Sequence, residues 1–356
     1  MSKIYMIAGE ASGDFLGAAI LKRLNGFVDV CGVGGDLMMR QGFQSLFNIS
    51  EISVGGIMEV IPHVLRIKRL INMTANDIID QRPDVVLTID SPGFCFRVAK
   101  KVRDIAPEIK LVHFVAPSVW AWRSKRAIAI AELYDALLTL FSFEPKYFEK
   151  YGLKTTFVGH PAVEVFSPTD KEKSEILLLM PGSRIQEIKS HLPIFIDVAK
   201  SLGAKNVVIP TLPNLEGFVR SMTDEFKADI VIDETEKAEL YRMAKLAIVA
   251  SGTATLQLAL SGCPMVVCYR ISKLTYSLVR PLVKIKFISL VNILLNEQIV
   301  PELIQSDCEP KKILEQIDGL DPEKQLSAFK KIGQLVQNQE ARPSVYIADI
   351  LLKLGD

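Results

Sequence analysis

The sequence predicts an α/β protein built from two doubly wound, Rossmann-like domains facing each other across a cleft. Three observations predict this. Short, nearly continuous apolar runs alternate with helix-length amphipathic segments along the whole chain, as expected for parallel strands buried on both faces by crossover helices. The length, 356 residues, is about twice that of a usual single domain. Near the middle, Ser167-Pro168-Thr169-Asp170-Lys171-Glu172-Lys173-Ser174 is polar and breaks both periodicities, as a linker would. The expected division is 1–166, 175–330 and a terminal segment 331–356 with a helix after Pro343.

In chain order, the first half offers strands at 4–8, 28–33, 85–89, 111–115, 136–140 and 156–158. The second half repeats the pattern at 176–180, 206–210, 229–232, 246–250 and 265–269. Ligands of such sheets are expected at the carboxyl ends of the strands.

Composition narrows the function. Lys plus Arg is 42 against 41 Asp plus Glu, a net charge of +1, which argues against a nucleic-acid partner needing a strong basic excess. No uncharged apolar run reaches membrane-spanning length. The N-terminus runs from Lys3 into an apolar strand and a Gly-rich loop, without a signal-peptide pattern, so export is not expected. The five cysteines form no CxxC pair and read as reduced thiols. His63, His113, His160 and His191 show no ligand spacing, so no metal site is expected.

Five loops could carry chemistry. Ala8-Gly9-Glu10-Ala11-Ser12-Gly13-Asp14 joins a strand to a helix with small residues. It matches neither a Walker loop nor a dinucleotide fingerprint. It reads as a tight turn, or as a sugar-binding loop in which Glu10 meets hydroxyls. Asp90, in Thr88-Ile89-Asp90-Ser91-Pro92-Gly93-Phe94, ends an apolar strand, where a general base would be placed, although it could equally cap the next helix. Val115 to Arg123 carries both tryptophans, Trp120 and Trp122, beside Arg123, Lys125 and Arg126. That is an apolar platform with a basic rim, or a cover for the sheet edge. Pro181-Gly182-Ser183-Arg184 puts helix-start N–H groups, a hydroxyl and a fixed cation together, which suits a pyrophosphate, or simply starts a helix with Ser183 as cap. Ser251-Gly252-Thr253 again opens a helix with small residues, and Gln257 follows one turn later. No DxD motif occurs, so Arg184 and helix dipoles, not a metal, are expected to balance diphosphate charge.

Gly9-Glu10-Ala11-Ser12-Gly13-Asp14, Val54-Gly55-Gly56-Ile57-Met58-Glu59-Val60, Ser118-Val119-Trp120-Ala121-Trp122-Arg123, Phe157-Val158-Gly159-His160-Pro161, Pro181-Gly182-Ser183-Arg184, Ser251-Gly252-Thr253 and Cys263-Pro264-Met265-Val266-Val267 occur in this order. As a set they closely resemble the lipid-A-disaccharide synthase family, glycosyltransferases of GT-B architecture, from about residue 3 to Pro310. The resemblance implies an inverting transfer from UDP-2,3-diacylglucosamine to 2,3-diacylglucosamine 1-phosphate, giving a β-1,6 disaccharide and UDP, with no cofactor. It implies the acceptor and membrane-docking role for the first domain and UDP-sugar binding for the second. Asp90 matches the proposed general base and Glu10 the acidic residue of the first loop. Gly182, Ser183, Arg184, Ser251, Gly252, Thr253, Gln257 and Asn292 fall on the UDP side. Gln257 stands where the family usually carries Glu, and Val291 where Pro is expected before Asn292. Some members exchange C-terminal segments to form homodimers.

Residues 54–73 place Ile57, Ile61, Val64, Leu65 and Ile71 at helical spacing among Arg66, Lys68 and Arg69. A basic amphipathic helix of this kind docks on an anionic membrane, or packs on a core with its charges solvated. Residues 274–288 form a second basic–apolar stretch with Arg280, Lys284 and Lys286. Diacyl substrates lie in a bilayer, so the expected location is the cytoplasmic face of the inner membrane, held peripherally. Competing readings are another GT-B enzyme, such as a UDP-N-acetylglucosamine 2-epimerase, and a non-catalytic membrane-surface binding protein.

Overall fold

The computed structural model describes residues 2–52, 64–119, 125–169, 171–272, 276–277, 280 and 286–355. The first half runs β1 (Lys3–Ala8), α1 (Ala11–Leu24), β2 (Asp29–Val33), α2 (Asp36–Met39), α3 (Val64–Gln81), β3 (Val85–Ile89), α4 (Pro92–Ile105), β4 (Lys110–Phe114), α5 (Arg126–Leu133), β5 (Ala136–Thr139), α6 (Lys146–Glu149) and β6 (Lys154–Phe157). The second runs β7 (Ser174–Met180), α7 (Ile185–Ser201), β8 (Asn206–Pro210), α8 (Glu216–Met222), β9 (Asp229–Val231), α9 (Glu234–Met243), β10 (Ala244–Ala250), α10 (Thr253–Leu260), β11 (Met265–Tyr269), α11 (Leu290–Leu295), β12 (Glu302–Ile304) and α12 (Pro310–Asp318). Helices α13 (Pro322–Val336) and α14 (Pro343–Gly355) close the chain.

Each half is a six-stranded sheet, ordered β2-β1-β3-β4-β5-β6 and β12-β11-β10-β7-β8-β9. All ladders between these strands are parallel. The near-continuous apolar strands follow from this arrangement, because helices cover both faces. In the first unit Tyr5, Val86, Leu111 and Leu137 pack with Ile71 and Ile78 of α3 and Phe94 and Val98 of α4. In the second, Leu177, Leu179, Ile248 and Val266 pack with Ile188, Leu192 and Phe195 of α7. Cys95, Cys263, Cys268 and Cys308 are buried and Cys31 is half-buried; all five are free thiols.

The chain divides into Met1–Pro161 with Val336–Asp356, and Ala162–Leu335. The boundaries at 166 and 331 therefore shift. Phe166 stacks on Tyr241 of α9, 5.7 Å between ring centres, and so belongs to the second unit. The terminal segment does not stand apart. The His160 N–H donates to the Val336 carbonyl at 2.8 Å, and Asn338 Nδ2 donates to the Phe157 carbonyl at 2.9 Å. Helix α14 then returns to α1, where Arg23 Nε donates to Ser344 Oγ at 3.1 Å. Strand β12 is absent from the sequence reading, because three residues with Glu302 at their head make no apolar run.

Two histidines of the first unit are wholly buried. His113 Nδ1 lies 2.7 Å from Thr88 Oγ1, and its ring sits edge-on to Phe96. Burial pushes His113 down to about 3 and His160 down to about 4. Both values lie below the ordinary imidazole value, so the unfolded chain binds more protons than the folded one below about pH 6.5. Stability should be full above that pH and fall as pH drops toward 4 and then 3. At pH 5 each histidine should cost about 2 kcal/mol. Urea melts at pH 7.5 and 5 test this: the midpoint should drop, and a His113→Gln variant should show a shallower drop. Coincident melts at the two pH values would contradict it.

Candidate active site

The strand orders place the loops. In the first unit the chain leaves β1 toward β2 on one side, while β3 lies on the other. The helices after β1 and β3 therefore leave on opposite sides, the position at which a ligand crevice is expected in such a sheet. The loops leading into them are the Glu10 and Asp90 loops. Ser12 Oγ donates to Asp90 Oδ2 at 3.1 Å, joining the two. Gly9 is required by the same approach, since a Cβ there would lie 2.5 Å from Ser91 Oγ. Glu10 is half-buried and stands at the N-cap of α1 with extended backbone and no side-chain cap bond.

Asp90 lies one residue before the N-cap of α4. Ser91 occupies the N-cap position, and the helix begins at Pro92. Asp90 (φ 53°) and Ser91 (φ 45°) are both left-handed, and Val115, after the neighbouring β4, has φ 79°. Such residues each cost about 1–3 kcal/mol and persist where surrounding structure holds them, which is common at functional sites. The Ser91 hydroxyl is buried and makes no hydrogen bond among the described residues. The sequence reading passed over Ser91, because a serine beside a strand-end aspartate carries no signal of its own. Asp14, the last residue of the first motif, has a different task. It is buried and accepts from the N–H groups of Gly35 (2.8 Å), Leu37 (2.9 Å) and Met38 (3.1 Å), which fastens α2 to α1. Burial pushes its carboxyl up, against the pull of those donors.

In the second unit the order reverses between β7 and β10. The loops there are Pro181-Gly182-Ser183-Arg184 and Ser251-Gly252-Thr253, the pair expected to grip a diphosphate. Arg184, not Ser183, is the N-cap of α7, and its side chain is roughly half exposed. Glu187 organises the turn: its Oε2 accepts from the Ser183 N–H at 3.0 Å, and its Oε1 lies 3.6 Å from Arg184 Nη1. The Ser183 N–H, read from the sequence as available to an anion, is thus engaged in this conformation. Gly182 (φ 118°) is required because a Cβ would overlap the Glu187 carboxylate.

Ser251 Oγ donates to the Ile288 carbonyl at 2.8 Å, and the Ile288 and Ser289 N–H groups donate to Glu302, each at 2.9 Å. Asn292 completes this network. Its Nδ2 donates to the Val300 carbonyl and Glu302 Oε1, and its Oδ1 accepts from the N–H groups of Ile299 and Val300. The amide is wholly buried with both donors and both acceptor sites used. In this conformation Asn292 holds the return into β12 and presents no polar group to a ligand. Glu302 was missed with its strand. Thr253 and Gly252 are exposed, and a Cβ on Gly252 would meet nothing within 4 Å, so backbone approach is open there. Gln257 is half-buried one turn into α10.

Of the residues expected from the sequence to dock on a membrane, Ile57 and Ile61 lie outside the described residues, as do Trp120, Trp122 and Arg123 of the tryptophan loop. Val64 and Leu65, at the start of α3, are 49% and 83% exposed. Arg66, Lys68 and Arg69 are exposed beside them, with Arg66 Nη2 donating to the Glu51 carbonyl at 2.7 Å. Further along, Leu70, Ile71, Ala75 and Ile78 are buried. One helix therefore carries a basic–apolar first turn on the surface and a core-packed remainder. Among the described residues no helix is long and apolar enough to cross a membrane.

Comparison with known proteins agrees with this architecture. The Lipid-A-disaccharide synthetase family model matches residues 4–350. A lipid-A-disaccharide synthase of Rickettsia bellii (strain OSU 85-389) is 41% identical over 358 residues, covering 94% of each chain. Among solved structures, the glycotransferase of kitacinnamycin has a TM-score of 0.65 at 14% identity, covering 100% of this chain and 99% of its own. The UDP-GlcNAc 2-epimerase of Neisseria meningitidis, bound to UDP-GlcNAc, has a TM-score of 0.62 at 14% identity over 99% of both chains. At such identities these two likenesses speak for the GT-B fold alone. The match along nearly the whole chain decides the family: this chain belongs to the lipid-A-disaccharide synthases, glycosyltransferases of lipid A biosynthesis.

Proposed function

We propose that the chain transfers a 2,3-diacylglucosamine unit from UDP to the 6-hydroxyl of 2,3-diacylglucosamine 1-phosphate, with inversion, on the cytoplasmic face of the inner membrane. The observation that carries this reading is the placement of four loops at the strand-order reversals, the Glu10 and Asp90 loops in the first sheet and the Pro181–Arg184 and Ser251–Thr253 loops in the second. In this reading the first unit takes the acceptor and the second the UDP-sugar. Asp90 receives the acceptor's 6-hydroxyl proton, helped by the Ser12 hydroxyl that orients its carboxylate. The acceptor oxygen bonds to the anomeric carbon as the bond to the β-phosphate oxygen breaks, and the electron pair leaves with UDP. Arg184 and the starts of α7 and α10 balance the leaving charge without a metal. Glu10, at the other lip of the Asp90 crevice, meets acceptor hydroxyls. A turnover assay with both lipid substrates, detecting disaccharide 1-phosphate and UDP, tests the whole. Epimerisation of UDP-N-acetylglucosamine with no disaccharide formed would point to the epimerases instead.

Three outcomes are expected. Asp90→Ala should lower turnover by about 10²–10⁴ while UDP binding survives; turnover like wild type would remove Asp90 from the base role. Replacing Arg66, Lys68 and Arg69 by Ser should release the protein from anionic vesicles, since each basic side chain at such a surface contributes roughly 1 kcal/mol. Unchanged co-sedimentation would sink the docking role of the first turn of α3. Gln257→Glu should tighten UDP about fivefold, because a charged hydrogen bond to a ribose hydroxyl exceeds a neutral one by about 1 kcal/mol. The opposing repulsion of the diphosphate falls with distance. Calorimetric titration decides, and unchanged or weaker binding would place Gln257 away from the ribose.

A further inference from the structure

His191 lies in the second turn of α7, wholly buried, and none of the family motifs above includes it. Its two ring nitrogens face two backbone groups from different strands. Nδ1 is 2.9 Å from the Pro181 carbonyl, the first residue of the loop after β7. Nε2 is 2.8 Å from the backbone nitrogen of Arg270, the first residue after β11. The partners settle the tautomer. A backbone N–H can only donate, so Nε2 carries no proton and accepts. A carbonyl can only accept, so Nδ1 carries the proton and donates. Phe195 stacks on the ring at 5.8 Å, and Tyr269 is tilted against it at 6.1 Å, so its orientation is packed as well as bonded.

The place of this bridge matters more than its strength. Strands β7 and β11 are not neighbours; β10 runs between them. His191 therefore ties together the exits of two strands that share no ladder, beside the end of the strand that carries Ser251-Gly252-Thr253. The next N–H along, that of Ile271, is held by Gln305 Oε1 at 3.0 Å, so both first residues beyond β11 are fixed by side chains. One end of the bridge is three residues from Arg184, and the other is the backbone of a second arginine.

From this geometry we infer that His191 is a positioning residue of the nucleotide site. Its neutral, Nδ1-protonated imidazole sets the Pro181–Arg184 loop and the Arg270 backbone in register for a nucleoside diphosphate. The inference rests on the reading of the second unit as the UDP site. It assigns His191 no contact with substrate.

The test uses the full-length protein with UDP as probe. His191→Phe keeps the ring packing and removes both hydrogen bonds. His191→Gln restores one donor and one acceptor side by side. The Phe variant should remain folded by circular dichroism yet bind UDP about tenfold more weakly, and its KM for the UDP-sugar should rise by a similar factor. The Gln variant should recover most of that loss. A folded Phe variant that binds UDP like wild type overturns the inference, as does a Gln variant as weak as Phe, which would trace the effect to packing. If the Phe variant does not fold, nitrogen-15 NMR of the wild-type protein decides. The His191 ring should show an unprotonated Nε2, and it and the Arg270 amide should shift on adding UDP. The other tautomer, or signals indifferent to a bound UDP, overturns the proposal. Failure of wild type to bind UDP would overturn the nucleotide-site reading itself, with this inference, and is told apart by the first titration.

Discussion

The reversal of strand order at the first strand of each sheet is the constraint on which the site depends. A parallel sheet needs a crossover after every strand, and right-handed crossovers from one central strand can fill the sheet in either direction. Where the direction changes, adjacent loops must part, and no helix covers the gap. In the first unit the gap is between β1 and β3, and in the second between β7 and β10. Elsewhere the central strands are buried and paired on both sides. The carboxyl ends at these two points are where backbone, charge and a ligand can meet.

Polar side chains near these points hold loops first. Asp14 secures the start of α2, Glu187 shapes the turn before α7, and Glu302 with Asn292 fixes the segment leading into β12. Each accepts backbone N–H groups that have no ladder partner, and leaving such groups buried and unpaired would cost about 1–3 kcal/mol apiece. A loop pinned by its own carboxylates arrives pre-shaped for a ligand, which lowers the ordering cost of binding. The left-handed Asp90 and Ser91 are the counterpart on the other sheet. They turn a carboxylate out of a fully buried strand at an energetic cost that the packed strands on either side sustain.

The start of α3 shows how one helix can serve two surroundings. Its later turns are drawn into the core by Leu70, Ile71, Ala75 and Ile78, while Val64 and Leu65 stand exposed with three basic side chains. The core contacts fix the helix, so the exposed turn needs no contribution from a membrane to be formed. A core-packed stretch and a basic–apolar surface turn can share a single helical period, so the sequence alone does not separate them.

The sequence by itself determined the fold class, the family and the presence of chemistry-bearing loops. Buried parallel strands leave continuous apolar runs, and the family resemblance is written in short, contiguous motifs such as Gly9-Glu10-Ala11-Ser12-Gly13-Asp14 and Pro181-Gly182-Ser183-Arg184. Tertiary structure alone decided which of those loops are neighbours. Strand order is a property of long-range pairing, and nothing local to β1 or β7 announces that β3 or β10 lies beside it. The same holds for the terminal segment, claimed by the first unit through Val336 and Asn338. It holds for Asn292, whose amide is spent inside the protein, and for His191, whose two partners are 10 and 79 residues away. A side chain's role is set by what surrounds it when folded, and for these residues the surroundings come from distant parts of the chain.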